Sequence, residues 1–176
     1  DEAWAALNDT LTADVQAAPG DPPPAAPHVT LRVPVTLAES LTLVGYRVVE
    51  PAPRPGGHLT VLTAWEIAEP YPEELVLFTH LLDAAGSLVT QQDRLDAPAW
   101  QWRSGDRFAQ VHTLSLDPAL QSAPYALAIG FYTRANLTRL PLSQPQATDP
   151  PTTRLLIPVE IAAGTEGAQA PATQSP

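Results

Sequence analysis

The chain contains no cysteine and no methionine, and its nine basic residues are all arginine. Without cysteine there can be no disulfide, no thiolate nucleophile and no Cys-ligated zinc, and the redox compartment is left open. The missing methionine leads us to expect a mature product or an excised piece of a longer protein. No apolar run approaches the ~20 residues that span a bilayer, and the N-terminus lacks the basic start of a signal peptide.

Positive charge is scarce as well. The 176 residues carry a formal net charge of -10, and the sequence pI is about 4.6. Nucleic acids and anionic membrane surfaces require clustered Lys and Arg, so the charge argues against both as partners. The apolar fraction of 44% is that of a globular protein, and the length fits one domain with tails.

The first stretch, residues 1–18, is predicted to be a separate amphipathic helix. Trp4, Leu7, Leu11 and Val15 recur at three- and four-residue spacing, which places them on one stripe, and a Pro-Gly pair follows. A membrane-surface helix would carry Lys or Arg on its polar face. The polar positions here are acidic or neutral, which favours a helix that packs on the domain.

Composition divides the rest of the chain into three parts. Residues 19–27 are rich in proline and are predicted to form an extended linker. Residues 28–162 are predicted to form the folded domain. Residues 163–176 lack any periodicity and are expected to be a disordered tail or linker.

Short apolar or alternating segments, separated by turn residues, fill the region 28–162. About eight or nine strands are expected, with no room for the crossover helices that parallel sheets need. The fold class is therefore all-β, an antiparallel β-sandwich of immunoglobulin-like or jelly-roll type. The predicted strands are 29–35, 41–49, 59–67, 75–82, 88–93, 107–116, 125–132 and 154–161, of which 75–82 and 88–93 form a hairpin.

An ordered series of short motifs runs through this region. It comprises Gly45-Tyr46, Pro55-Gly56, Trp65, Phe78 to Asp83, Gly86, Gln92-Asp93, Trp102 to Asp106, Tyr125, Gly130 to Tyr132 and Arg139 to Pro141. The series resembles the soluble β-sandwich domain that follows the membrane part of bacterial glycosyltransferases of the dolichyl-phosphate-mannose-dependent mannosyltransferase type. The resemblance covers residues 41–142, with departures at Ala123-Pro124, where that family has glycine, and in a shortened loop before Trp102.

The resemblance implies a non-catalytic accessory domain outside the cytoplasm. In that family the transferase chemistry belongs to membrane helices, so this chain would meet the membrane only through another part of its parent protein. The leading hypothesis is therefore a structural or recognition module of a larger membrane-associated, glycosyltransferase-like protein. The expected partner is a glycan or another cell-envelope component, and no cofactor is expected.

The alternative is a carbohydrate-binding module centred on Trp100 and Trp102. Two tryptophans two positions apart share a face in an extended segment, and flat aromatic rings hold sugars by stacking. Gln101, Arg103 and Asp106 would supply hydrogen bonds to hydroxyl groups. The competing interpretation is that Trp102 fills the core. Tyr71 and Tyr132 are further aromatic candidates.

Other chemistry has weaker support in the sequence. The histidines show no metal-binding spacing; His80 is predicted to be a core or half-buried histidine that donates to a carbonyl, and Asp83 to form a turn. Asp93, Asp96 and Asp106 are either calcium ligands or turn residues. A small hydrolase would need a carboxylate pair, for which the sequence offers Glu66 with Glu69, or Glu73 with Glu74. The choice between calcium ligands and turn residues stays open, as does the choice between the two carboxylate pairs, and no catalytic residue is assigned.

Overall fold

The structure is a computed structural model that describes residues 2–19, 29–50, 52–143 and 152–163. One short helix, ten strands and one 3-10 turn form its regular elements. In chain order they are α1 (Glu2–Asn8), β1 (Asp14–Pro19), β2 (Val29–Arg32), β3 (Val35–Leu37), β4 (Leu41–Val48), β5 (His58–Ile67), β6 (Leu75–Leu82), β7 (Leu88–Asp93), the 3-10 turn (Ala99–Gln101), β8 (Arg107–Ser115), β9 (Pro124–Thr133) and β10 (Thr152–Glu160).

The strands form two sheets. One has six strands in the order β2-β1-β10-β9-β6-β7, and the other has four in the order β3-β4-β5-β8. Every pair of neighbouring strands is antiparallel. The predicted antiparallel β-sandwich is confirmed.

The predicted hairpin is also confirmed, with strands at residues 75–82 and 88–93. Its turn is held by Asp83, whose Oδ1 accepts hydrogen bonds from the amides of Ala85, at 2.9 Å, and Ser87, at 2.8 Å. This is the turn role that the sequence indicated.

The N-terminal helix is much shorter than predicted, and residues 1–18 are not a separate unit. The helix ends at Asn8, where the Thr10 amide and hydroxyl both donate to the Leu7 carbonyl. The chain then forms β1, which lies between β2 and β10 inside the six-stranded sheet. The sandwich therefore begins at Asp14. The expected stripe is nonetheless real, because Val15 is buried and Trp4, Leu7 and Leu11 are half-buried.

Helix α1 and the turn after it lie against the four-stranded sheet. A side chain at Gly45 would meet Leu11, since an ideal Cβ there lies 2.7 Å from the Leu11 Cβ atom. The guanidinium of Arg107 lies 5.6 Å from the centre of the Trp4 ring, at cation–π distance. The short helix thus packs on the domain, as expected from its polar face.

The predicted strand 29–35 is two strands in different sheets. β2 ends at Arg32, and β3 begins at Val35 after Pro34. Proline cannot donate to a sheet ladder, so the change of sheet takes place where the ladder is already interrupted. This division and the additional β1 account for ten strands where eight or nine were expected.

The core between the sheets is filled by inward-facing side chains from both. β5 shows the expected alternation, with five consecutive alternate residues buried: Leu59, Val61, Thr63, Trp65 and Ile67. Trp65 packs edge-on against Phe131 of β9, with ring centres 4.8 Å apart.

Most of the predicted linker and nearly all of the predicted tail lie outside the described residues; Pro19 ends β1, and Ala163 is the last described residue. Within the described part of the chain, no helix is long and apolar enough to cross a membrane.

Candidate functional site

The loop between β7 and β8, residues 94–106, carries the five residues of the predicted sugar site: Trp100, Gln101, Trp102, Arg103 and Asp106. It is called the Trp100 loop below. Its start is joined to β8 by hydrogen bonds of Arg94 and Asp96, of which those between Asp96 and Gln110 fix the loop. The Asp96 amide donates to Gln110 Oε1 at 2.9 Å, and Gln110 Nε2 donates to Asp96 Oδ2 at 3.0 Å. The Gln110 side chain is buried, so the loop leaves the sandwich from a fixed point.

A single 3-10 turn sets the direction of the two tryptophans. The Gln101 amide donates to the Pro98 carbonyl at 3.0 Å, and the Trp102 amide donates to the Ala99 carbonyl at 3.2 Å. Because the segment is coiled, Trp100 and Trp102 do not share a face, which corrects the expectation of an extended segment. Trp100 is 73% exposed, whereas Trp102 is 7% exposed.

Trp102 closes the core. Its ring stacks on Phe108 with centres 5.3 Å apart and meets Phe131 edge-on at 6.4 Å. A ring in this position offers little surface to a ligand. Trp102 is therefore a residue of the core, as the competing interpretation held, and not an exposed platform.

The remaining predicted residues lie on the exposed part of the loop. Gln101, Arg103 and Asp106 are all exposed. One oxygen of Asp106 accepts a hydrogen bond from the Arg103 amide at 2.8 Å and so shapes the turn. That turn is joined to the end of β5, where the Ile67 amide donates to the Asp106 carbonyl at 2.8 Å. Trp100 is therefore presented by a loop that is held at both ends.

The two tyrosine candidates have other roles. Tyr71 is half-buried and packs against the core. The Tyr132 hydroxyl donates to Asp93 Oδ2 at 3.2 Å, on the six-stranded sheet.

A second group of side chains lies on the face of the six-stranded sheet that points away from the core. Phe78 is at its centre and is fully buried, and its ring lies directly over Gly130. An ideal Cβ at Gly130 would be 2.7 Å from Phe78 Cζ. The guanidinium of Arg139 lies 4.7 Å from the centre of the Phe78 ring.

Polar side chains surround this ring and bind one another. Asp93 receives hydrogen bonds from His80 Nε2, at 2.9 Å, and from the Tyr132 hydroxyl. Burial, and then the Asp93 charge, raise the pKa of the Tyr132 hydroxyl above its ordinary value. His80 is half-buried as predicted, but its partner is the Asp93 carboxylate. We call Phe78, His80, Asp93, Tyr132 and Arg139 the Phe78 cluster.

Sequence reasoning did not assign the Phe78 cluster as a site. The register of β7, β6 and β9 brings four of its members together, and a bridge between Tyr132 and Arg139, which lies beyond the end of β9, adds the fifth. A signal was present, because all five residues belong to the motif series that carries the family resemblance. A His–carboxylate pair also occurs in hydrolase triads, but there a nucleophile is bonded to the histidine. Here the third group donates to the carboxylate, so the geometry favours a structural network.

Among the described histidines, the buried one is His112, in β8. Its Nδ1 is hydrogen-bonded to the Thr79 hydroxyl of the opposite sheet, and its Nε2 donates to the Arg94 carbonyl at 3.0 Å. Burial lowers the pKa of the His112 imidazole. A neutral ring satisfies both contacts and links the two sheets through the core.

The acidic candidates are spread over the surface. Among the described residues, no group of three or more His, Asp or Glu could hold a metal ion. Asp96 forms an ion pair with Arg94 at 2.9 Å, while Asp93 and Asp106 have the partners given above. Glu66 pairs with Arg107 at 3.2 Å and Glu74 with Arg134 at 2.8 Å.

Comparison with solved structures finds similar sandwiches. The crystal structure of the C-terminal domain of wzt has a TM-score of 0.52 and 12% identity, covering 73% of this chain and 77% of that one. Weaker likenesses are a β-glucuronidase from glycoside hydrolase family 2 (TM-score 0.42, 12% identity, 72% of this chain and 11% of that one) and a Niemann-Pick type C2 protein from Japanese carpenter ant (0.41, 7%, 74% and 94%).

The fold is that of a β-sandwich domain. At 12% identity, the likeness to the C-terminal domain of wzt concerns the fold alone. No protein-family model matches the chain, and no curated protein matches it.

Proposed function

We propose that this chain is a non-catalytic recognition module that binds a cell-envelope glycan on the Trp100 loop. The observation that carries the proposal is the exposure of Trp100 in a turn where Ala99, directly before it, and Trp102, two positions after it, are both buried. Nothing in the packing of the sandwich requires an aromatic ring at this position.

Stacking is the physical basis of the proposed binding. A sugar ring lays its C–H face on an indole, and neighbouring polar groups bond its hydroxyls. Gln101 and Arg103 are exposed beside Trp100 and offer amide and guanidinium donors. Because the loop is fixed by the Asp96–Gln110 pair and by the bond to Ile67, little conformational entropy is lost when a ligand binds.

The proposal includes an accessory role in a larger protein outside the cytoplasm. Two observations support this part. The motif series resembles an accessory domain of membrane glycosyltransferases, and the similar fold named above is the C-terminal domain of a longer protein. Attachment to a membrane would then come from another part of the parent.

Absence of catalysis is part of the same proposal. Each carboxylate that a hydrolase would use is engaged elsewhere or exposed, with Glu66 and Glu74 in ion pairs with arginine. Glu69 and Glu73 lie exposed on the loop between β5 and β6. A glycosidase needs two facing carboxyl groups across a cleft, and these residues support no such pair.

A glycan-array screen of the full chain tests the proposal, with Trp100→Ala measured in parallel. Binding that Trp100→Ala loses, while its thermal unfolding is unchanged, supports recognition by the loop. Leu88→Ala is the matched control, because Leu88 is also an exposed apolar residue, 53% exposed, on a different part of the surface. An equal loss of glycan binding in both variants, or no binding of the native chain to any glycan on the array, would overturn the glycan-binding role. A structural accessory domain would then remain.

A further inference from the structure

The outward face of the six-stranded sheet is apolar over part of its area. Four of its side chains form a hydrophobic cluster distinct from the main core, and each is at most 7% exposed: Phe78, Leu82, Ala128 and Leu156. An antiparallel sheet commonly places polar side chains on the face that points away from the core. This face departs from that pattern.

A cavity of about 210 Å³ continues this cluster at the end of the sheet remote from the Trp100 loop. Leu82 of β6, Ala126 of β9 and Leu156 of β10 supply apolar lining from three neighbouring strands. The turn of the β6–β7 hairpin and Tyr125, whose hydroxyl donates to the Gln121 carbonyl at 3.0 Å, contribute further lining.

The cavity combines this apolar lining with one buried cation. Arg154 lines it and is 7% exposed. A guanidinium remains charged at every physiological pH and has five N–H donors, so it can bond a carboxylate in addition to its contacts within the protein. The negative group at the rim, Asp83, uses its Oδ1 for the Ala85 and Ser87 amides of its own turn.

We propose that this cavity binds a small molecule that has an apolar body and one carboxylate group. The body would lie against Leu82, Ala126 and Leu156, and the carboxylate would face Arg154. Charge-assisted hydrogen bonds between guanidinium and carboxylate are among the stronger polar contacts in proteins. The site is separate from the Trp100 loop and does not depend on glycan binding there.

The volume suits a small ligand. An enclosed apolar cavity of about 150 Å³ accommodates benzene, and this larger cavity, which is open to solvent, has room for a single aromatic ring or a short aliphatic chain with its carboxylate. Benzoate is therefore a suitable test ligand. Benzamide has the same shape without the charge, and benzylammonium carries the opposite charge.

The experiment is a titration of the full chain by heteronuclear NMR with these three compounds. Benzoate is expected to shift the amide signals of Leu82, Ala126 and Leu156 saturably and to bind about tenfold more tightly than benzamide, because a neutral amide oxygen accepts a weaker hydrogen bond from a guanidinium than a carboxylate does. No saturable shift with benzoate, or equal affinity for benzamide or benzylammonium, would overturn the proposal.

A variant that fills the cavity provides a second test of the proposal. Ala126→Leu places a larger side chain in the lining and is expected to weaken benzoate binding by about tenfold or more. Ala119→Leu, at an exposed loop position, is the matched control and should leave binding unchanged. If Ala126→Leu folds and binds benzoate as the native chain does, the ligand lies elsewhere and the proposal is wrong. The comparison of the three ligands on the native chain does not depend on how any variant folds.

Discussion

Trp100 and Trp102 are the same residue type two positions apart, and their surroundings give them opposite roles. The 3-10 turn places the first in solvent and the second against Phe108 and Phe131. At such a site the backbone, rather than the side-chain chemistry, decides which ring is available for binding and which contributes to stability.

Replacing each of the two tryptophans with alanine should therefore lower the free energy of unfolding by different amounts. Trp102→Ala removes a large buried ring and is expected to lower the free energy of unfolding by about 3–5 kcal/mol. Trp100→Ala should change it by no more than about 0.5 kcal/mol. Urea denaturation of both variants measures the difference, and similar losses in the two would show that Trp100 also contributes to the fold.

His112 makes a residue-scale prediction about pH. Burial lowers its folded-state pKa, whereas the unfolded chain titrates near the ordinary value of 6.5. Above pH 6.5 neither state holds the proton, and the full stability is present. Below pH 6.5 the unfolded chain gains a proton that the folded protein resists, so stability falls, with a slope of at most about 1.4 kcal/mol per pH unit from this group.

Denaturation curves of the native chain and His112→Gln between pH 7.5 and about 5 test this linkage. The variant should be less stable at neutral pH, because it alters the bonds to Thr79 and Arg94, but its stability should change less with pH. His58→Gln, at an exposed position, should keep the native slope. An unchanged slope in His112→Gln would contradict a lowered pKa at this site.

At the scale of elements, close packing outside the core explains a small residue inside a strand. β9 carries Gly130 because the Phe78 ring of β6 and the backbone of β10 both approach it. An ideal Cβ at Gly130 would lie 2.9 Å from the Thr153 carbonyl oxygen as well as 2.7 Å from Phe78 Cζ.

Gly130→Ala is accordingly expected to destabilise the protein by about 1–3 kcal/mol. The double variant Phe78→Leu/Gly130→Ala should show little recovery, because the clash with the backbone oxygen remains. Gly105→Ala is the comparison, since space is open there and the cost is that of its positive φ of 82°. Thermal and urea unfolding give these values. Full recovery of stability in the double variant would show that the Phe78 ring alone causes the clash.

The neighbouring edges of the two sheets protect each other through side chains. The Thr113 amide on the edge of β8 donates to Gln92 Oε1 at 3.0 Å, and Arg94 donates to the Val111 carbonyl at 3.2 Å. Edge groups bonded in this way are less open to pairing with another chain.

Local patterns predicted the elements well where one pattern applied. The hairpin at residues 75–93 was predicted with its correct bounds, because an apolar run, a turn and a second strand follow directly. The bounds of the N-terminal elements were not predicted correctly. The spacing of Trp4, Leu7, Leu11 and Val15 fits one continuous helix, but a short helix followed by a strand can bury the same residues. The Phe78 cluster depends on pairing between residues up to 61 positions apart (139 minus 78), which spacing within one strand does not reveal.

At the scale of the whole molecule, the position of β1 makes a prediction about truncation. A chain that begins at residue 20 lacks the strand between β2 and β10, so both would have unpaired edges in one sheet. It is expected to self-associate or precipitate. A chain that begins at residue 11 loses α1 but keeps β1 and should associate no more than the native chain does.

Light scattering of the two truncated chains measures this difference. A monomeric chain from residue 20 with native stability would show that β1 is dispensable, and that the boundary predicted at residue 28 was adequate. Association of both chains would instead assign the protective role to α1.

The pairing of β1 with β10 also bears on synthesis. The six-stranded sheet joins residues 14–19 to residues 152–160, so its first strand acquires its second neighbour only when the last strand has left the ribosome. Until then two strand edges of the nascent chain are unpaired and can pair with another chain. The long-range pairings of this topology also slow folding. The final nine-residue strand therefore completes the sheet, and a ribosome that stalls before it would release a chain prone to aggregation.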